Sequence, residues 1–366
     1  MHDRHLLPLR ERRHELDQLK SAATAAAGGR PQLVVLSGLR RVGKTFLLQH
    51  LEQEIRTSSP VVYFEATQAG EAAELRRFRQ ALDRALGASE APPYPAFSSW
   101  EQALQFCAYL ARERPLTVII DEVTYLMSST PGFASTVQAV WDSISGTSGP
   151  AMVLVLAGSA VGMVGDALDY RGALYQRPTL VLRLDPFTAP QAHRYLGEPD
   201  PTVAVEAFAA CGGYPLHLDG WDTDQKAADN LLRLAGTPGG LLLEDGAALV
   251  NGLPDSARRV LIAIGQGRAR RSEIVNDVGM RVDRPIEAVQ RARLVHGEVP
   301  LGAPQKTRPL YRIADPFLRF WLRLLANHVQ RIEAGQGAAV LEHVTGEWQN
   351  HLGVVFETMA REHAVR

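Results

Sequence analysis

Cysteine is nearly absent from this sequence: only Cys107 and Cys211 occur among 366 residues, both in apolar helical stretches. Two such residues exclude a disulfide framework and a thiolate metal centre, and they read as small buried hydrophobes. Long apolar runs are missing as well. The longest, Ala151 to Ala157, is far short of the ~20 residues that a membrane-spanning helix needs. Met1 to Pro8 holds no apolar stretch of signal-peptide length. The net charge of −1 leaves no global excess of either sign, which excludes a chain that coats a polyanion along its whole length. Repeats and low-complexity tracts are lacking beyond a short alanine cluster at 22–27. These absences predict a cytoplasmic globular protein with no membrane partner. Its length suits two or three domains.

One loop carries the most information. Gly38 to Thr45 reads G-x-x-x-x-G-K-T; the apolar run Leu33 to Ser37 precedes it and a helix-like segment, Phe46 to Ile55, follows. Strand, glycine loop and helix form the setting that a phosphate-binding P-loop requires. Glycines at 38 and 43 let backbone N–H groups turn around a polyphosphate, and the helix N-terminus adds its positive dipole end. Lys44 is placed to reach the β- and γ-phosphates of ATP, and the Thr45 hydroxyl to ligate Mg²⁺. Arg40, Arg41 and Phe46 complete the stretch assigned to nucleotide contact.

The rest of the first half alternates. Strands are expected at Pro60 to Glu65, Leu116 to Asp121, Ala151 to Ala157 and Thr179 to Leu184. Helices are expected at Arg10 to Ala27, Ala72 to Gly87, and from a Ser98 or Ser99 cap to Arg114. The prolines of Ala91 to Phe97 mark a loop. This alternation predicts an α/β fold, a parallel P-loop sheet with helices on both faces and the ligand at the strands' C-terminal ends. The strand signal stops after Pro186. The expected domains are a P-loop domain at 1–187 and a helical lid at 188–250. A winged helix-turn-helix at 251–314 and the start of a helical domain at 315–366 follow.

A second signal pairs with the loop. The apolar strand from Val118 ends in Asp121 and Glu122. Asp121 is expected to hold Mg²⁺ through a water, and Glu122 to act as general base on the attacking water, a role worth roughly 10²–10⁴-fold in rate. No N/T-K-x-D base-reading motif of a GTPase is present, so ATP hydrolysis is favoured. Ser159, ending the fourth strand, is a candidate to sense the γ-phosphate or orient the water. Arg177 stands just before the fifth strand, at the edge away from its own nucleotide. Two readings stay open for it: reaching a neighbouring subunit's ATP in a self-associated form, or a structural ion pair.

Together these motifs resemble the archaeal-type ATPases of the STAND division of P-loop NTPases. The matching residues are Leu39 to Thr45, Asp121 with Glu122, and Ala157 to Ser159. Leu174 to Arg177 is similar to the family's L-Y-G-R motif, with Gln176 replacing the glycine. Gly213 to Pro215 resembles the lid's G-x-P motif, and this implies Pro215 near the adenine. Tyr311 to Trp321 resembles the opening of a downstream domain of unknown function, and Gly353 to Glu357 the first helix of a nuclease-like fold. The chain stops at Arg366 before any D/E-x-K core, so no nuclease activity is expected of it.

Charge is uneven along the chain. Residues 251–325 hold 14 Arg or Lys against 7 Asp or Glu, near +7, which leaves the remainder near −8. Arg268, Arg270, Arg271, Arg291 and Arg293 lie on or beside the expected helices, with Lys306 and Arg308 in the wing. Such a face suits DNA, yet the start of the third helix offers few donors to base edges. The resemblance implies instead an internal clamp or a protein partner. Three functions follow: an ATP-driven switch, a nucleotide-gated DNA-binding regulator with secondary turnover, or a scaffold that holds nucleotide without turnover.

Overall fold

The computed structural model describes residues 6–87, 96–146, 148–159, 161–299 and 308–365. Most of the loop expected at 91–97, and Lys306, lie outside the described residues. The chain divides into two compact units, Met1–Asp185 and Pro186–Arg366.

In the first unit the order is α1 (Arg13–Ala27), β1 (Gln32–Gly38), α2 (Lys44–Ile55), β2 (Val61–Glu65), α3 (Glu71–Leu86), α4 (Trp100–Leu110) and β3 (Leu116–Asp121). Then come α5 (Val123–Ser129), α6 (Phe133–Ile144), β4 (Met152–Gly158), α7 (Val161–Leu168) and β5 (Leu180–Leu184). All five expected strands form one parallel sheet of order β2-β3-β4-β1-β5. β3 and β4 are buried throughout, as parallel strands covered on both faces must be. On one face α1 packs against β1, β4 and α2, and α2 against β1 and β2.

A hydrophobic core cluster of the first unit lies where α3, α4 and α6 pack. There Phe78 meets Trp100 at 5.3 Å between ring centroids, and Trp100 meets Phe133 at 5.5 Å and 88°. Edge-to-face contact of this kind adds about 0.5–1.5 kcal/mol per pair beyond area burial. Ser99 caps α4 by accepting the Gln102 N–H at 3.2 Å.

One acid is fully buried near this core. Glu74 in the first turn of α3 accepts the N–H groups of Thr67 (3.0 Å) and Ala69 (3.2 Å), the Thr67 hydroxyl and Arg77 Nη1 (2.8 Å). It thereby fixes the loop that leaves the C-terminal end of β2. Glu74→Ala removes every one of these acceptors and leaves buried donors unmet, so a loss of about 1–3 kcal/mol or more is expected in urea denaturation.

The second unit begins with α8 (Ala189–Tyr195), α9 (Pro201–Cys211), α10 (Pro215–Gly220), α11 (Ala227–Ala235) and α12 (Leu241–Asn251). Three helices follow, α13 (Asp255–Gly265), α14 (Arg271–Val278) and α15 (Asp283–Arg291), and then an antiparallel pair, β6 (Val295–Glu298) with β7 (Leu310–Ile313). After α16 (Pro316–Phe320) the helical path takes a π-helical stretch at Trp321–Leu325 and ends in the long helix Thr345–Val365. Trp321 Nε1 donates to Leu243 O at 3.0 Å, tying that stretch to α12. Cys107 and Cys211 are free and buried. Among the described residues no helix is long and apolar enough to cross a membrane.

Candidate functional site

The loop between β1 and α2 is shaped by two residues in the left-handed region, Arg41 at φ 71° and Gly43 at φ 92°. Glycine meets no Cβ penalty at Gly43, and the turn it makes starts α2 at Lys44, two residues earlier than the sequence pattern indicates. Gly38 is required for a different reason. A Cβ there stands 2.4 Å from Leu184 O and 3.0 Å from Val42 Cγ2. Gly38→Ala is therefore expected to push the loop away from β5 and to cost about 1–3 kcal/mol by overpacking. Urea denaturation measures the loss, and ATP affinity should fall with it.

Lys44 is buried, and its ammonium lies inside the loop. Nζ donates to Gly38 O (3.0 Å), Leu39 O (3.1 Å) and Ser159 Oγ (2.9 Å). Burial pushes its pKa below the ordinary lysine value, while the charges of Glu122 and Asp121 pull it back up. Ser159, at the end of β4, passes the contact on: its hydroxyl donates to Glu122 Oε1 at 2.6 Å. Lys44 and Glu122 are thus joined through one hydroxyl.

Asp121 ends β3 with its carboxylate fully buried. Oδ2 accepts the hydroxyls of Thr45 (2.8 Å) and Tyr63 (2.7 Å), and Oδ1 accepts the Glu122 N–H (2.9 Å). Glu122 sits at φ 51° and ψ 40° as the N-cap of α5. A left-handed residue without glycine's freedom is strained by about 1–2 kcal/mol. Here it turns the Glu122 side chain out of the strand direction and toward Ser159.

The structure therefore brings Gly38, Gly43, Lys44, Thr45, Asp121, Glu122 and Ser159 to one edge of the sheet. Arg40 and Arg41 are exposed beside them, and Phe46 is half-buried in α2, 4.4 Å from the His50 ring. Thr45 and Asp121 supply only hard oxygens, the donor type that suits Mg²⁺ with its retained waters. Sequence reasoning missed Tyr63. Its signal was the register: Tyr63 pairs with Ile119, so it shares a sheet face with Asp121 two residues on.

One candidate does not join this cluster. Arg177 lies before β5, at the opposite edge of the sheet, and binds Asp142 with both Nε and Nη2 at 2.9 Å. That pairing holds Asp142 below the usual carboxylate range and raises Arg177. In this chain the Arg177 guanidinium does not reach the Lys44 cluster. Its neighbour Gln176 stands at φ 56°, a conformation that favours glycine and explains why that motif position suits one. Pro215 belongs to the second unit, where it opens α10 after Tyr214.

A five-stranded parallel sheet of this order, with a glycine loop after β1 and acids after β3, is the fold of a P-loop nucleoside triphosphatase. The AAA ATPase domain family matches residues 8–139. Among solved structures the chain is similar to a Walker-type ATPase of Pyrococcus abyssi, with TM-score 0.61 and 20% identity, covering 86% of this chain and 96% of that one. It is also similar to the ORC2 protein of Aeropyrum pernix in its ADPNP–ADP complexes, with TM-score 0.59 and 15% identity over 92% and 98% of the two chains. An uncharacterized protein of Methanocaldococcus jannaschii is 23% identical over 361 residues, 94% of this chain and 75% of that protein.

Proposed function

We propose that this protein binds ATP with Mg²⁺ and hydrolyses it, and that the nucleotide state sets the conformation of the second unit. The observation that carries this reading is the chain of contacts Lys44–Ser159–Glu122 beside Thr45–Asp121. Thr45 and Asp121 would hold Mg²⁺, which when bound would neutralise charge on the nucleotide phosphates. Lys44 exchanges its two loop carbonyls for phosphate oxygens. Glu122 takes the proton of the water that attacks the γ-phosphorus, and Ser159 holds its carboxylate in place. Ser159 touches both Lys44 and Glu122 and so links the lysine that meets the phosphates to the base.

Steady-state phosphate release by the purified chain tests the reading. Release with ATP and Mg²⁺, absent with EDTA, is expected; binding without release supports a scaffold that only holds nucleotide. In a thermal shift, ATP at about a hundred times its dissociation constant should add roughly 2.7 kcal/mol of stability.

A STAND-type switch with a helical lid and a winged helix is the finer form of this proposal. Three helices followed by an antiparallel pair, α13 to β7, support the winged-helix part. DNA contact is the second reading, and the surface of that module limits it. Arg258, Arg268, Arg270, Arg271 and Arg312 are ion-paired with acids of the same module. Among the described residues Arg259, Arg281, Arg284, Arg291, Arg293 and Arg308 of that module are exposed and have no carboxylate within ion-pair distance. With six such cations, duplex binding should weaken with salt at a log–log slope of about −5, at −0.9 per phosphate. A slope near zero at low ionic strength removes the DNA reading. Self-association through Arg177 stays a proposal that must first break the Arg177–Asp142 pair.

A further inference from the structure

We infer that Tyr63 is a positioning residue for the metal-side carboxylate: its phenol holds Asp121 in the one orientation in which it would receive a hydrated divalent cation. The inference deepens the proposed nucleotide site and rests on it.

Asp121 is fully buried, yet among the described residues no cationic side chain bonds to it; three neutral donors do. They are not equivalent. The Glu122 N–H is part of the strand end and holds only Oδ1. The Thr45 hydroxyl would also offer its oxygen to a bound metal and so would serve two partners. Among the described residues the Tyr63 hydroxyl makes no other hydrogen bond. It comes from a different strand, β2, and lies 2.7 Å from Oδ2 along the sheet face that Ile119 and Asp121 share. Rotation of the carboxylate about its χ2 bond would break that contact and leave a donor without a partner in a half-buried setting. The Asp121 rotamer is therefore held whether or not a cation is present.

Positioning groups of this kind, which touch a metal ligand and not the metal, typically change metal affinity by about 10–100-fold when removed. The Tyr63 hydroxyl bonds to the carboxylate and not to the loop that takes the phosphates, so metal-free nucleotide binding has no reason to depend on it. That difference separates a positioning role from general support of the fold.

The test uses Mn²⁺ as probe, titrated into the full chain with ADP and followed by electron paramagnetic resonance. In Tyr63→Phe, ADP affinity in EDTA should match that of the unaltered chain, while Mn²⁺ affinity falls about tenfold. In an Asp121→Asn background, the same substitution should produce no further loss. An unchanged Mn²⁺ affinity overturns the inference. A Tyr63→Phe chain that no longer binds metal-free ADP assigns the hydroxyl to folding and overturns it too. If the unaltered chain shows no ADP-dependent Mn²⁺ site, the proposed nucleotide function itself fails, which is a different result.

Discussion

Glu122→Gln is expected to cut phosphate release by about 10²–10⁴-fold, the worth of a positioned general base, and to leave ATP binding unchanged. The expectation follows from how the side chain is held. Its Oε1 accepts the Ser159 hydroxyl at 2.6 Å, a bond a glutamine carbonyl can keep. The left-handed backbone at Glu122 is set by the strand-to-helix turn, so glutamine meets the same geometry. Only the ability to take a proton is lost. In barrier terms the change is about 3–5 kcal/mol at 1.36 kcal/mol per decade. Phosphate release and ATP affinity, measured on the same preparation, separate this outcome from a folding defect. Unchanged turnover would remove Glu122 as base, and loss of binding would make it part of the nucleotide cradle.

The second large effect lies in the other unit and concerns pH. Asp315 caps α16, accepting the Leu318 N–H at 2.8 Å, and burial pushes its carboxyl up to about 7. His351 packs against the rings of Phe320 and Trp348, with Nε2 donating to Ala209 O at 2.8 Å and Nδ1 without a hydrogen-bond partner among the described residues. Burial pushes it down to about 4, opposed by the Ala209 carbonyl and aided by the charges of Arg319 and Arg323.

The two groups act on stability with opposite signs. An unfolded Asp titrates near 3.9, so the raised Asp315 contributes stability fully present below about 4 and lost as pH rises through about 7. An unfolded His titrates near 6.5; the depressed His351 contributes stability present above about 6.5 and lost as pH falls through about 4. Between about 4 and 6.5 each slope is about 1.4 kcal/mol per pH unit, and they cancel. Asp315→Asn should therefore unmask a rise of stability with pH over that window, relative to the unaltered chain. His351→Gln should unmask a fall that continues to about pH 7. Urea midpoints from pH 4 to 7.5 give both. Parallel profiles for all three proteins would contradict the assigned burial.

Much of the first unit was legible in the sequence. Its strands are short apolar runs and its loop has a fixed spacing, and both signals are local. The structure puts β1 to β5 where those runs stand and brings Lys44, Thr45, Asp121, Glu122 and Ser159 together. What escaped was set by pairing across the sheet or by burial against the usual preference. Tyr63 looked like one more apolar position because its partner Asp121 lies 58 residues away and depends on the β2–β3 register. Glu74 reads as a solvated acid in a helical stretch, yet it is the buried anchor of the loop after β2. The helices α5, α6 and α7 went unassigned because their apolar positions merge with the strands on either side. Arg177 stands before β5, and its partner Asp142 belongs to α6, one of those helices.

The central claim is that Gly38 to Thr45 cradles a nucleoside triphosphate through Lys44. Calorimetric titration of ATP with Mg²⁺ into the full chain and into Lys44→Met tests it most directly. The account predicts one site per chain in the unaltered protein, weaker without Mg²⁺, and loss of that site in Lys44→Met with the fold intact by circular dichroism. Equal binding by both proteins, or none by either, would contradict it.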